Sequence, residues 1–288
     1  MEKISFTLRS MQLSDIEQGM QLSTAEGWNQ TEKDWKLLID NPGNICLVAE
    51  TKNKVIGTTT AINYSNEIAW IGMVLVDRKY RGMGAAKLLL TNILEKLESC
   101  KSIKLDATPA GQQVYKKLGF KDEYLITRMI NSSMKSFLTN NDIDIIPEPI
   151  LPMHAEEIAA LDKSIFGANR ISLIEYLVKE YPDNTYLLKR DNKIDGFVLG
   201  RDGNKYNHIG PVGASTTFDA QILISKALKK LNNQPVVADV LNDKEELLNW
   251  LHSFGFQMQR QFLRMYKKKN SFPGIIDKQY LICGPEFG

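Results

Sequence analysis

The hydrophobic positions of this chain alternate between two spacings, every second residue and every third or fourth, which mark strands and amphipathic helices respectively. Residues 5–11 read as a strand. Ile16, Met20 and Leu22 then share one helical face behind Ser14, with Glu17 three residues on completing a capping box. A second helix opens at Thr31 and runs through Leu38. Strand patterns come next at 45–50, 55–62 and 68–76, with turns at Asn53 and Asn66 between them. A long amphipathic helix covers 82–99, a strand 103–107, a short helix 111–118 and a last strand 120–130.

Residues 131–141 are polar, and Pro147, Pro149 and Pro152 punctuate the next stretch, so this part of the chain reads as a linker. Beyond it the same order recurs. Helices are expected at 156–166 and 171–181, strands at 186–189, 194–200 and 206–212, then a helix at 218–231, a strand at 236–241, a helix at 245–254 and a strand at 256–266. One local match makes the repeat countable: Gly119-Phe120 is followed by Arg128-Met129, and Gly255-Phe256 by Arg264-Met265 at the same spacing. The pattern therefore predicts an α/β fold (α+β, mixed sheet) in two tandem domains, 1–133 and 145–288.

Composition narrows this reading without redirecting it. A chain of 288 residues, 43% hydrophobic and 24% charged, has the makings of a globular protein with a proper core in each domain. A net charge of +2 gives no reason to expect nucleic acid or an acidic membrane surface as partner. Cys46, Cys100 and Cys283 are widely spaced, and His154, His208 and His252 lack ligand spacing, so neither a disulfide framework nor a metal centre is expected. No apolar signal core stands at residues 1–5, and no apolar run reaches the roughly 18 residues of a membrane span. The expectation is a cytoplasmic protein.

One turn carries chemistry. The apolar strand 69–76 leads through Asp77 to Arg81-Gly82-Met83-Gly84, and Ala85-Ala86 opens a helix. Glycines at such a turn let backbone N–H groups approach phosphate oxygens, and a helix start adds partial positive charge. Arg81 adds a formal one. A phosphate-bearing ligand is the reading to test. A nucleotide kinase is excluded, because GxxxxGK(S/T) is absent.

These residues resemble the acyl-CoA-binding signature of the GCN5-related N-acetyltransferases (GNAT), (Q/R)-x-x-G-x-(G/A), met here by Arg81, Gly84 and Ala86. Tyr115, four residues before Gly119-Phe120, looks like that family's second motif, and the element order of residues 1–133 is similar to the family's. The whole chain resembles the family's tandem members, with a first copy that carries the motifs and a divergent second copy.

The resemblance implies acetyl-CoA as co-substrate and no metal. Backbone groups of Arg81, Gly82, Met83, Gly84, Ala85 and Ala86 would hold the pyrophosphate, and Val74, Leu75 and Val76 would pair with the pantetheine arm like an added strand. A bulge at Gly72 would part the fourth and fifth strands and aim a backbone N–H near Val74 at the thioester carbonyl. Tyr115 would be the general acid toward the leaving sulfur. For the base, the candidates are Glu26, Glu67 and Asp106; Thr108 shares a face with Asp106, and Glu26, Trp28 and Asn29 lie in a connection that borders the acceptor pocket in this family. In the second copy, residues 213–217 lack the signature and Leu251 stands where Tyr115 would, so that copy is expected to be silent. His208, Gly210, Pro211 and residues 284–287 are candidates to line the acceptor cleft.

The expected activity is transfer of an acetyl group to a primary amine, with a small molecule as the leading acceptor and a protein substrate, a polyamine, an aminoglycoside and an amino acid all left open. A non-catalytic acyl-CoA sensor is the alternative. The chain is expected to be a monomer or a homodimer.

Overall fold

A computed structural model of the chain describes residues 5–133 and 146–288, and part of the expected linker lies outside them. Two compact units divide between Leu105 and Asp106. The first contains β1 (Thr7–Ser10), α1 (Ile16–Ala25), α2 (Glu32–Asp40), β2 (Ile45–Thr51), β3 (Lys54–Tyr64), β4 (Ile68–Val76), α3 (Ala85–Lys96) and most of β5 (Ser102–Ala107). β1 to β4 pair antiparallel in chain order, and β5 joins β4 in parallel. The two hairpin turns, Lys52-Asn53 and Ser65-Asn66, hold both central residues at positive φ. That is the twist-matching turn for which Asn is suited, so both Asn signals mark true turns. Trp35, Leu38, Val48, Ile56, Ile68, Trp70, Leu89 and Ile93 are wholly buried between the sheet and the helices.

Two helix starts differ from the sequence pattern. Before α1 the capping carboxylate is Asp15, not Glu17. It accepts the Gln12 N–H at 2.8 Å and is clamped by Arg9 at 2.6 and 2.9 Å, so a 3-10 turn precedes the helix. The helix expected from 82 starts at Ala85, because Gly82 (φ +77°) and Gly84 (φ +94°) are left-handed. The helix expected to open at Thr31 does so behind a capping box: Thr31 N–H donates to Asp34 at 2.7 Å, and Asp34 N–H to Thr31 Oγ1 at 3.4 Å.

The second unit comprises α4 (Pro109–Lys117), β6 (Lys121–Asn131), β7 (Glu148–Pro149), α5 (Ala155–Phe166), α6 (Ile171–Glu180), β8 (Tyr186–Arg190), β9 (Lys193–Arg201), β10 (Asn207–Gly213), α7 (Thr217–Lys230), β11 (Val236–Leu241), α8 (Glu245–Ser253), β12 (Gln257–Lys268) and β13 (Gln279–Leu281). Its strands run in the order β12-β6-β11-β13-β10-β9-β8-β7, with a direct parallel pairing of β10 and β11 as well. β6, the last strand of the first sequence repeat, is flanked antiparallel by β11 and β12, both from the second. The repeated Arg-Met pair now has a physical reason. Arg128 on β6 binds Asp239 of β11 through two bonds of 2.7 Å. Arg264 on β12 binds Asp106, at the end of β5, at 2.8 and 2.9 Å. Each repeat's final strand thus places a buried arginine on an aspartate of the other repeat. A buried charge without such a partner would be strongly unfavourable.

No described helix is long and apolar enough to cross a membrane.

Candidate active site

In the first unit, β4 and β5 pair only at Ile68↔Ser102, Ala69↔Ile103 and Trp70↔Lys104. On its other edge, β4 shifts register against β3, from Thr60↔Gly72 to Thr58↔Leu75, so β4 carries one extra residue there. Met73 takes the left-handed conformation (φ +51°), and its carbonyl accepts the Thr58 hydroxyl at 2.7 Å. The bulge expected at Gly72 therefore sits one residue on. A non-glycine residue at positive φ is strained, and such strain persists where the surroundings hold it. Here Thr58 holds it. Val74, Leu75 and Val76 come after the bulge and lead into the glycine turn.

That turn is built without a side-chain lid. Asp77 accepts the Lys79 N–H at 3.0 Å and pairs with Lys54 at 2.9 Å, which sets the exit from β4. Gly82 and Gly84 have open space where a Cβ would stand. Gly84 occupies the cap position of α3, makes no side-chain cap bond, and no acidic residue lies in the first turn. Ala85 is buried and Ala86 half-buried, while Met83 is exposed. The helix start thus presents free N–H donors in a neutral or positive surrounding, which suits an anion.

Arg81 is anchored rather than extended. Its Nε donates to Val76 O at 3.1 Å, and its Nη2 meets Glu26 Oε1 at 2.6 Å. The same Glu26 oxygen accepts Arg78 Nε at 3.0 Å, and Arg78 Nη2 donates to Ala25 O at 2.9 Å. The α1–α2 connection is therefore fastened to the glycine turn through two arginines. The sequence pattern alone does not single out Arg78, although it lies in the same turn. Trp28 is half-buried with its backbone N–H on Ser23 O at 2.9 Å, and Asn29 is buried.

Tyr115, Thr108 and Asp106 lie in the second unit. Tyr115, on α4, is almost fully buried with its ring edge-on to Phe120 at 5.8 Å, and burial pushes its phenol well above its ordinary pKa. It is therefore protonated at neutral pH. Thr108 caps α4 by position, its carbonyl accepting Gly111 N–H at 2.9 Å. Asp106 requires a correction: both its oxygens are held by Arg264, and its side chain is fully buried. It anchors β12 through this buried ion pair. The Arg264 that occupies it is 158 residues away in sequence, which is why alternation along β5 alone does not find it.

The second repeat keeps the frame and changes the chemistry. β10 and β11 pair at three positions, 207–209 with 236–238, before the pairing stops. α7, however, starts with Thr216, whose Oγ1 accepts the Asp219 N–H at 3.1 Å. Asp219 is buried in the first turn and bound by Arg190 at 2.6 Å. One first-turn donor is capped, and a carboxylate stands where an anion would approach. Leu251 is fully buried in the core around α7 and α8. Of residues 284–287, Glu286 pairs with the buried Arg201 and the Phe287 ring lies 5.1 Å from its guanidinium, within the second unit.

Among the described residues no group of three His, Cys, Asp or Glu side chains is placed to hold a metal ion.

Residues 12–120 match the acetyltransferase (GNAT) family, and residues 158–281 match an acetyltransferase (GNAT) domain. The chain is 23% identical over 201 residues to an uncharacterized N-acetyltransferase, YitH, of Bacillus subtilis (strain 168), covering 69% of this chain and 70% of that protein. It is 23% identical over 218 residues to a holothin acyltransferase of Pseudoalteromonas sp. (strain SANK 73390), covering 74% and 71%. Among solved structures, a putative acetyltransferase from Pyrococcus horikoshii has the same fold, with a TM-score of 0.81 at 22% identity over 100% of this chain and 97% of that one.

Proposed function

With a GNAT domain in each half, the chain belongs to the GNAT acetyltransferases, a family of transferase enzymes, and we propose that its first copy moves an acetyl group from acetyl-CoA to a primary amine of a small molecule. The observation that carries this reading is the join of a left-handed bulge at Met73 to a glycine turn and an uncapped α3. Strand edge and anion site then lie in sequence, as an acylated, amide-rich arm ending in a pyrophosphate requires. Similarity to a holothin acyltransferase supports a small-molecule acceptor over a protein one.

The co-substrate supplies an activated thioester. In this reading, N–H groups from Gly82 to Ala86 hold its pyrophosphate, with Arg81 as counter-charge. The β4 edge at Val74, Leu75 and Val76, beyond the last pairing with β5, orients its arm. The Val74 N–H donates to the thioester carbonyl oxygen as negative charge grows there, an interaction stronger in the transition state than before it. Tyr115 gives its proton to the departing sulfur. Its phenol is protonated across the physiological range, as a general acid must be. Asp106 is not the base in this reading, since Arg264 holds both its oxygens, while Glu26 meets its two arginines through Oε1 alone.

The test is steady-state transfer from acetyl-CoA to a panel of small amines, with thiol release as readout. Turnover with at least one amine, lost in Tyr115→Phe, supports the reading. Tight acetyl-CoA binding with no turnover on any amine would favour a sensor instead. No binding would end both.

A further inference from the structure

The split between β10 and β11 is filled from within the chain. Past Ile209↔Ala238 the two strands part, and Leu281 of β13 stands opposite both Val212 of β10 and Val240 of β11. One residue thus bridges the gap. Hydrogen bonds continue on either side, from Ala214 N–H to Lys278 O and from Ile282 N–H to Asp239 O, both 3.0 Å. The approach is close enough to demand glycine. A Cβ on Gly210 would lie 2.1 Å from the Ile282 carbonyl oxygen, at a φ of +142°.

Charge anchors the segment after β13. Arg201, fully buried, forms an ion pair with Glu286 and lies over the Phe287 ring at 5.1 Å. Arg170, itself held by Asp162 at 2.6 Å, donates to Gly288 O at 2.7 Å. His208 Nε2 is 3.3 Å from Ile282 O. Leu281, Ile282, Cys283 and Phe287 are 0% exposed, so this segment is core and not a surface flap.

We infer that residues 279–288 are an internal insert that fills the second copy's strand split, taking the strand-like place which an acyl-pantetheine arm would take in the first. The likeness of the two places rests on the function proposed above; the insert itself does not. Two features make it a permanent occupant. The start of α7 is capped by Thr216 and guarded by Asp219, so nothing there draws a pyrophosphate in to compete. Displacing the segment would also leave Arg201 buried without Glu286. The second copy is therefore a GNAT fold converted to a scaffold by its own chain, completed with a peptide in place of a cofactor.

Hydrogen–deuterium exchange on the full chain, with and without millimolar acetyl-CoA, tests this. Amides of 281–283 are expected to be as protected as those of β11 in the free protein, and unchanged by acetyl-CoA. Glu286→Ala is expected to raise their exchange by at least about tenfold, by lowering the free energy of local opening. Glu286→Gln, which keeps the packing, should fall between. Exchange of 281–283 as fast as an open loop, or exchange that acetyl-CoA accelerates, would overturn the insert and make the second split an exchangeable site. A titration giving two acetyl-CoA sites per chain would overturn it as well. The amides of 82–88 report separately. If acetyl-CoA leaves them unprotected, the function proposed for the first copy fails while the insert stands on its own measurement.

Discussion

The two strand splits are built on one backbone plan and treated in opposite ways. Each parallel pair holds for three residues, β4 with β5 and β10 with β11, and each departing strand is irregular just beyond, at Met73 and at Gly210. After that point the chemistry diverges. The first split leads to a helix start with a bare glycine cap; the second leads to a threonine cap and a buried acid, and takes in β13. The scaffold, meaning strand order and the break in pairing, survives in both copies. What separates a ligand-handling copy from a structural one is a handful of residues at the helix start and one short strand.

Tyr115→Phe is the sharpest way to break that contrast, because only the first copy has a phenol there. Loss of a general acid lowers turnover by about 10²–10⁴-fold. Acetyl-CoA affinity should stay within about twofold, since the ring and its edge contact with Phe120 remain. Unchanged turnover in a stopped or continuous thiol assay would remove Tyr115 from the mechanism. It would also remove the clearest chemical difference between the copies.

Two of the positive-φ glycines, one at each split, should fail in opposite ways. At Gly84 a Cβ meets nothing within 4 Å, so Gly84→Val costs backbone strain at the ligand's side rather than packing. We expect acetyl-CoA affinity to fall by about 30-fold or more, from roughly 2 kcal/mol of displaced N–H geometry, with a change of only a few degrees in melting temperature. Gly210→Ala places its Cβ against Ile282 O. That overlap should lower the melting temperature by on the order of 10 °C and leave acetyl-CoA affinity unchanged. Calorimetric titration and thermal melting on both variants decide the matter. A Gly210→Ala protein that melts like the parent would deny that the insert lies so close.

Much of this fold is legible in the sequence because local pattern and tertiary structure agree. Asn53 and Asn66 mark hairpins that need positive φ, Thr31 marks a helix start, and the glycines at 82 and 84 mark the turn before α3. The illegible parts depend on partners far along the chain. Nothing in Gly72-Met73-Val74 says that the Met, not the Gly, will be left-handed, because Thr58 on the neighbouring strand decides it. The three residues of β13 carry no periodicity, and only the parting of β10 and β11 makes them a strand. Asp106 reads as a candidate base from its own strand, and only Arg264, folded onto it, shows otherwise. A signal is present there, though: an Arg repeated at the same place in two final strands is buried on strand grounds, and a buried Arg needs an acid.

His208 offers a subtler test of the second split. It is buried, with Arg201 and Arg128 opposing its protonation and Asp239 and Glu286 favouring it; burial and Arg201 together push its pKa down to about 4. The unfolded chain protonates this ring near 6.5. Between about 6.5 and 4 the unfolded state therefore binds one more proton than the folded one. Its stabilising effect is complete above pH 6.5 and is lost as pH falls, by up to about 1.4 kcal/mol per pH unit. His208→Gln should flatten this part of the stability–pH curve in denaturant titrations at pH 7, 6 and 5. An equal slope in parent and variant would mean that the ring already titrates freely, and that the β10–β11 region is wetter than its packing implies.

The smallest expected effect concerns the first split alone. Glu26 holds Arg81 and Arg78 through one carboxylate oxygen, yet Arg81 is also fixed by its bond to Val76 O. Removing the carboxylate charge should therefore leave Arg81 in place while taking a negative charge away from the turn that receives the pyrophosphate. Both arginines are substantially exposed, at 48% and 68%, so the pair is screened and its worth is a fraction of a kcal/mol. Glu26→Gln is expected to tighten acetyl-CoA by about two- to fivefold at low salt, and by less than that above about 0.5 M salt, where the Debye length shrinks to a few ångströms. Weaker binding in the variant would reverse the assignment. Glu26 would then be the residue that aims Arg81, and the α1–α2 connection would be part of the cofactor grip rather than a charge the cofactor must work against.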